Sequence, residues 1–164
     1  MRRPEINFSE WKFSVNLTES RAIQRQEGMP AYGCTCSACT AWKQYYRSNL
    51  PEDILLSFER IGIDLDHPSE CYGHETESGV HTLRVIFHFV GVMRSGPAPQ
   101  VYDSTIRETI MNYVTIRQEP RLSIMVLPSK KSFEPSPVQK NGNQDGILCI
   151  DMRLDLVATD HMNP

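Results

Sequence analysis

The chain has 164 residues, a hydrophobic fraction of 40%, an aromatic fraction of 9% and a formal net charge of -3 at pH 7. These values are typical of a folded globular protein and exclude an intrinsically disordered chain. Because the chain has no basic excess to hold a phosphate backbone, we expect no nucleic-acid partner.

The amino-terminal segment has no apolar run of the kind found in signal peptides, because Pro4, Glu5 and Glu10 interrupt it. The longest apolar-rich stretch, Val85–Met93, is too short to cross a bilayer. The five cysteines are odd in number, so intrachain disulfides cannot pair them all. We therefore expect a cytoplasmic protein with reduced thiols and no membrane association.

Alternating apolar and polar residues over Ile6–Leu17 predict a β-strand. The apolar residues before Ser9 fall in the opposite phase to those after it, so a bulge is expected near Ser9 or Glu10. The following polar segment predicts a short edge strand around residues 21–26 and then a loop.

Two helices are predicted over residues 38–49 and 51–61. Ser37 is suited to cap the first helix, Pro51 to begin the second, and Gly62 to end it. Since only a couple of residues separate the two helices, they form a hairpin or a sharp corner.

Strands dominate the second half of the chain. An acidic loop is predicted over residues 64–79. The segment 103–111 favours neither a short helix nor a strand. The segment 129–146 is rich in Pro and Gly and predicts an exposed loop. We expect proteases to cleave the chain first in this loop. Strands are predicted over residues 80–93, 112–118, 122–128 and 147–157.

Strands outnumber helices, and the helices form one block. The sequence therefore predicts an α+β fold, in which a mainly antiparallel sheet carries the two-helix block on one face or end, within a single domain over residues 1–164. The predicted core comprises the apolar phase of these elements, including Trp11, Phe13, Phe58, Leu83, Val85, Phe87, Ile124, Leu154 and Leu156.

The cysteines give the most specific chemical signal. Cys36-x-x-Cys39 is followed, after the two helices, by Cys71-x-x-His74. Thiolates plus an imidazole, each pair separated by two residues, are typical of a tetrahedral structural zinc site. We therefore predict that these four residues bind zinc, provided that the two helices run antiparallel and return the chain to its starting point.

Other interpretations of the cluster stay open. Cys34 or His67 is able to replace one of the four ligands. The cysteines are also explained as unliganded core residues, because free cysteines are among the most buried residue types. Finally, Cys36 at a helix amino terminus resembles a reactive thiol, because the helix dipole lowers a thiol pKa there.

Other catalytic signals are weak. The sequence lacks the phosphate-binding glycine motifs, the nucleophile elbow and the HExxH zinc motif. Asp151 and Asp155 alternate with Arg153 on one face of the last predicted strand, which is typical of a solvated face. The sequence favours a binding or interaction protein with a protein partner and a structural zinc site. The alternative is a thiol-dependent redox protein or enzyme that uses Cys36 and Cys39.

Overall fold

The computed structural model describes residues 3–24, 26, 29, 31–132 and 145–157. The helices within these ranges are α1 (Leu17–Ile23), α2 (Ser37–Asn49), α3 (Glu52–Ile61) and a short 3-10 turn at Ser129–Lys131. The strands are β1 (Glu5–Phe8), β2 (Trp11–Val15), β3 (Glu70–Glu75), β4 (Val80–Ser95), β5 (Gln100–Asp103), β6 (Glu108–Met111), β7 (Val114–Arg117), β8 (Leu122–Pro128) and β9 (Ile147–Val157).

The main sheet is antiparallel and has the strand order β1-β2-β4-β9-β8-β7, while β5 and β6 form a separate hairpin. The long strand β4 pairs with β9 from Val80 to Val90. On its other edge β4 pairs first with β3 and then, beyond Gly91, with β2. The sheet curls into a half-barrel with the helices packed against it, which confirms the predicted α+β class.

The core lies between the inner face of this sheet and the helices. Phe87, at the centre of β4, contacts Trp42 of α2 and Phe58 of α3 at ring-centroid distances of 5.8 and 5.3 Å. All nine core residues predicted from the apolar phases are at most 2% exposed. The observed helices Ser37–Asn49 and Glu52–Ile61 begin within one residue of the predicted bounds, although Cys36 rather than Ser37 is the N-cap.

Helix α1 includes residues 21–23 of the segment that the sequence predicted as an edge strand, and Gln24 is its C-cap, so the prediction of a strand there is wrong. Between its pairings with β3 and β2, β4 has an open edge, and α1 lies along it. The Ser20 hydroxyl accepts a hydrogen bond from Val90 N–H at 2.9 Å, and the Gln24 amide donates to the His88 carbonyl. The side chains of α1 thus replace a partner strand, a role that the local sequence does not reveal.

Three other predictions of local structure also need correction. The expected bulge near Ser9 is a tight hairpin turn, with Phe8 opposite Trp11. The segment 103–111 contains the last residue of β5, a turn and the whole of β6, so it is the second half of the β5–β6 hairpin. Residues 70–75, predicted as part of a loop, form β3, because β4 offers them an edge to pair with.

The outer face of the sheet is partly covered. Ile86, Met125, Leu127 and Cys149 form a small apolar cluster there, and Tyr113 packs against it. Asp151, predicted to be solvated, is 2% exposed and accepts hydrogen bonds from Arg84 Nε at 3.1 Å and from Arg84 Nη2 at 2.6 Å. The expectation of a solvated face is therefore wrong at this position.

The segment 129–146 was predicted to be the first site of proteolysis. Residues 133–144 of it, like the tail 158–164, lie outside the described residues. Lys130 and Lys131, at its start, are exposed. The expected order of cleavage stays a prediction.

Candidate metal centre

Three cysteines lie close together where α2 begins. Cys36 is the N-cap of α2, Cys39 is in its first turn, and Cys34 precedes it in the connecting loop. The three sulfur atoms all lie within 4.8 Å of one another. This follows from local geometry, because the first turn of a helix folds residue 39 back toward residue 36, and the loop turns at Gly33.

The loop that carries Cys34 is fixed to the segment leading into β3. The Ala31 N–H donates to the Ser69 carbonyl at 3.4 Å, and the Tyr32 ring stacks on His67 at 5.5 Å. The Cys34 N–H donates in turn to the Ala31 carbonyl at 3.3 Å. The loop is thereby held beside the amino end of α2.

The chain returns from α3 to this point through a segment of turns rather than through the second helix itself. The Trp42 indole donates to the Leu65 carbonyl at 2.7 Å, and the Tyr46 hydroxyl donates to Asp66 at 2.7 Å. Residues 63–69 therefore run back along α2. The predicted return of the chain occurs, but its basis is this connecting segment, whereas α3 packs on β1 and α1.

Cys71 reaches the cluster from β3. It is opposite Val85 of β4, whose side chain is in the inner core, so Cys71 points toward α2. Cys39 and Cys71 shift each other's pKa, which places the two thiols next to each other. Among the described residues, the sulfur atoms that all lie within 4.8 Å of one another are those of Cys34, Cys36 and Cys39, and Cys71 is not one of them. A fourth cysteine, distant in sequence, thus adjoins the three at the start of α2.

The electrostatics of the four thiols differ with their surroundings. The N–H groups of Cys39 and then the thiol of Cys34 lower the pKa of the exposed Cys36, although no hydrogen bond of regular geometry caps the helix through this side chain. Burial, followed by the neighbouring thiols, raises the pKa of Cys39. Burial raises the pKa of Cys71 to about 12, and its contact with Cys39 opposes this shift.

A bound cation would reverse this pattern. Several thiolates crowded together repel one another, whereas a divalent metal stabilises them and deprotonates a coordinating thiol outright. Sulfur atoms around a tetrahedral zinc ion with Zn–S bonds of about 2.3 Å are separated by roughly 3.8 Å. The observed separations of at most 4.8 Å are close to that spacing. The residues present therefore fit a metal that prefers soft ligands, such as zinc.

The structure separates the predicted ligands into two groups. Cys36 and Cys39 lie together, and Cys71 adjoins them. His74 is an odd number of residues from Cys71 in the regular strand β3, so it points to the outer face of the sheet, where it is exposed. The three-thiol group includes Cys34. The sequence predicted Cys34 only as a replacement for one of the four ligands, because it lies two residues before Cys36.

The other candidates lie elsewhere. The His67 Nδ1 is 2.8 Å from Asp64, and its ring is stacked on Tyr32, so its position is explained without a metal. Cys149 is buried on β9 in the outer apolar cluster.

No model of a known protein family matches this chain, and no match was found among curated proteins or among solved structures. Among the described residues, no helix is both long enough and apolar enough to span a membrane.

Proposed function

We propose that this protein is a cytoplasmic binding or interaction protein in which a structural zinc ion joins the amino end of α2 to β3. Cys34, Cys36 and Cys39 bind the ion, and Cys71 supplies the fourth ligand. The observation that carries the proposal is that the sulfur atoms of Cys34, Cys36 and Cys39 all lie within 4.8 Å of one another, with Cys71 from a distant segment next to Cys39.

The position of the site suits a structural rather than a catalytic metal. Four thiolates fill a tetrahedral coordination sphere, and a closed sphere leaves no position for water or substrate. Cys71 belongs to the edge strand β3, whose last four residues are exposed to solvent. An ion shared with α2 would hold this strand against the helix.

The binding role is supported by the β5–β6 hairpin. This two-stranded sheet stands apart from the main sheet and exposes several apolar side chains. Exposed apolar clusters are typical of surfaces that contact other proteins. The exposed residues are Val101, Tyr102, Ile106 and Ile110.

The metal site is tested by the metal content and thermal stability of the purified protein. We expect about one equivalent of zinc, a melting temperature that falls on chelation, and a thiolate-to-cobalt charge-transfer band after cobalt replaces zinc. Cys34→Ser, Cys39→Ser and Cys71→Ser should each weaken metal binding. Cys149→Ala, which removes a buried thiol away from the cluster, is the matched control and should retain the metal.

The same measurement distinguishes the fourth ligand. If His74 is a ligand together with Cys71, as the spacing predicted, His74→Ala and Cys71→Ser both weaken metal binding and Cys34→Ser does not. If Cys34 takes the place of His74, Cys34→Ser and Cys71→Ser weaken metal binding and His74→Ala does not. A protein that binds no zinc or cobalt with all its thiols reduced would contradict the proposal.

The alternative function is thiol chemistry at Cys36 and Cys39. The exposure of Cys36 and its position at the start of α2 favour it as an attacking thiolate, with Cys39 near enough to resolve the mixed disulfide. This alternative would be supported over the zinc site by two results on a protein that contains no metal. A thiol reagent labels Cys36 much faster than Cys34, and Cys36→Ser abolishes the fast labelling.

A further inference from the structure

The outer face of the sheet carries two arginines side by side. Arg84 of β4 is directly opposite Arg153 of β9, and Tyr72 of β3 is directly opposite Arg84 on its other side. Like charges in directly opposite positions of neighbouring strands destabilise a sheet. This row therefore brings two positive charges together on one face of the sheet.

Each guanidinium of this face is held in place by a different group. Arg84 Nη2 is 2.6 Å from the buried carboxylate of Asp151. The Arg153 guanidinium lies over the Tyr113 ring, 4.2 Å from its centroid. Fixed guanidinium groups lose less side-chain entropy when an anion binds, and their planar N–H forks match the oxygens of phosphate.

A shallow groove of about 270 Å³ lies over this row. Arg121 contributes a third guanidinium and is 3.3 Å from Asp155. Three guanidinium groups thus line the groove. The same face of the sheet also carries the carboxylates of Glu70, Asp151 and Asp155. Among the residues described by the structure, Arg153 makes no ion pair. The residues that line the groove include Tyr72, His74, Thr82, Arg84, Arg121 and Arg153.

We propose that this groove binds an organic phosphate. The phosphoryl dianion lies between Arg84 and Arg153, where its charge removes the repulsion between them. The planar part of the ligand packs on Tyr72, whose side chain is 41% exposed and lies next to the Arg84 guanidinium at 6.0 Å from the ring centroid. The site is on the opposite face of the sheet from the cysteine cluster and is independent of the metal.

The proposal is tested with phenyl phosphate, which joins a phosphoryl group to one flat ring, by following backbone amide signals in an NMR titration of the intact protein. We expect saturable shifts centred on residues 72–74, 82–84 and 153. Arg153→Gln should weaken binding by about tenfold, because it removes a charge-assisted contact. Arg94→Gln removes an exposed arginine from the same strand as Arg84, outside the groove, and should leave binding unchanged.

A second variant tests the aromatic contact. Wild type should bind phenyl phosphate more tightly than inorganic phosphate, and Tyr72→Leu should remove that preference while retaining the weaker binding of phosphate itself. Equal weakening by Arg153→Gln and Arg94→Gln would overturn the proposal, because it indicates general attraction of anions. Binding of a single-stranded oligonucleotide without binding of phenyl phosphate would also overturn it, in favour of a nucleic-acid surface.

Discussion

His88 is a buried titratable residue whose neutral form the fold requires. It is 2% exposed in the middle of β4, and its Nδ1 is 2.7 Å from the Ser69 hydroxyl. Burial lowers the pKa of His88 from its ordinary value of 6.5 to about 4, because a buried imidazolium loses its hydration. Above pH 6.5 the ring is neutral in both the folded and the unfolded state.

We expect His88 to make stability depend on pH. Between pH 6.5 and about 4 the unfolded chain takes up a proton on this ring and the folded protein does not. The free energy of unfolding therefore falls as the pH is lowered through this window, by up to about 1.4 kcal/mol per pH unit. Urea unfolding at several pH values measures the slope.

His88→Gln should reduce that slope even if it lowers stability at every pH. His74→Gln removes an exposed imidazole and serves as the matched control, with the slope of the wild type retained. Identical slopes for His88→Gln and wild type would show that other groups account for the pH dependence.

At the scale of elements, α1 acts as a substitute for a strand. Asn16 caps this helix by accepting a hydrogen bond from the Glu19 N–H at 3.1 Å, which begins the helix at Leu17. Ser20, one turn later, is fully buried and bonded to both the N–H and the carbonyl of Val90. The open edge of β4 is therefore closed by side chains of one short helix.

We expect Ser20→Ala to destabilise the protein by about 1–3 kcal/mol, because it leaves the buried Val90 N–H without a partner. Hydrogen exchange at the Val90 amide should become faster than in wild type. Thr18→Ala, an exposed change in the same helix, controls for any change in helix propensity. An unchanged exchange rate at Val90 in Ser20→Ala would contradict the role assigned to α1.

At the scale of the whole molecule, one apolar core joins nearly every element. It includes Phe8 of β1, Trp42 of α2, Phe58 of α3 and Leu156 of β9. Because the same cluster holds the helices and the sheet, neither part has a separate core that would keep it folded alone. This arrangement favours the predicted single domain.

We therefore expect one cooperative unfolding transition. Fluorescence of Trp11 and Trp42, which report on β2 and α2, should give the same midpoint in urea as far-UV circular dichroism. The measurement is made with metal in excess, so that loss of the ion does not add a second step. Two separate midpoints would indicate that the helices and the sheet unfold independently, contrary to a single domain.

The sequence by itself determined the elements whose residues follow a regular period. The sequence predicted helices α2 and α3 and strands β4, β8 and β9, together with their inward faces. Burial of one face makes apolar residues recur every 3.6 positions in a helix and every 2 positions in a strand, so the pattern lies within the element itself. The proximity of Cys36 and Cys39 follows in the same way from one helical turn. These features depend on neighbours in the chain.

The tertiary structure alone decided the features that depend on distant residues. Segment 17–23 is a helix on the open edge of β4, and residues 70–75 are a strand, because β4 has edge groups that need partners. Asp151 is buried because Arg84 lies on the neighbouring strand. Cys71 adjoins the thiol cluster and His74 does not, because pairing with β4 fixes which face of β3 each residue occupies. The spacing of two residues between Cys71 and His74 does not reveal how β3 is aligned with β4.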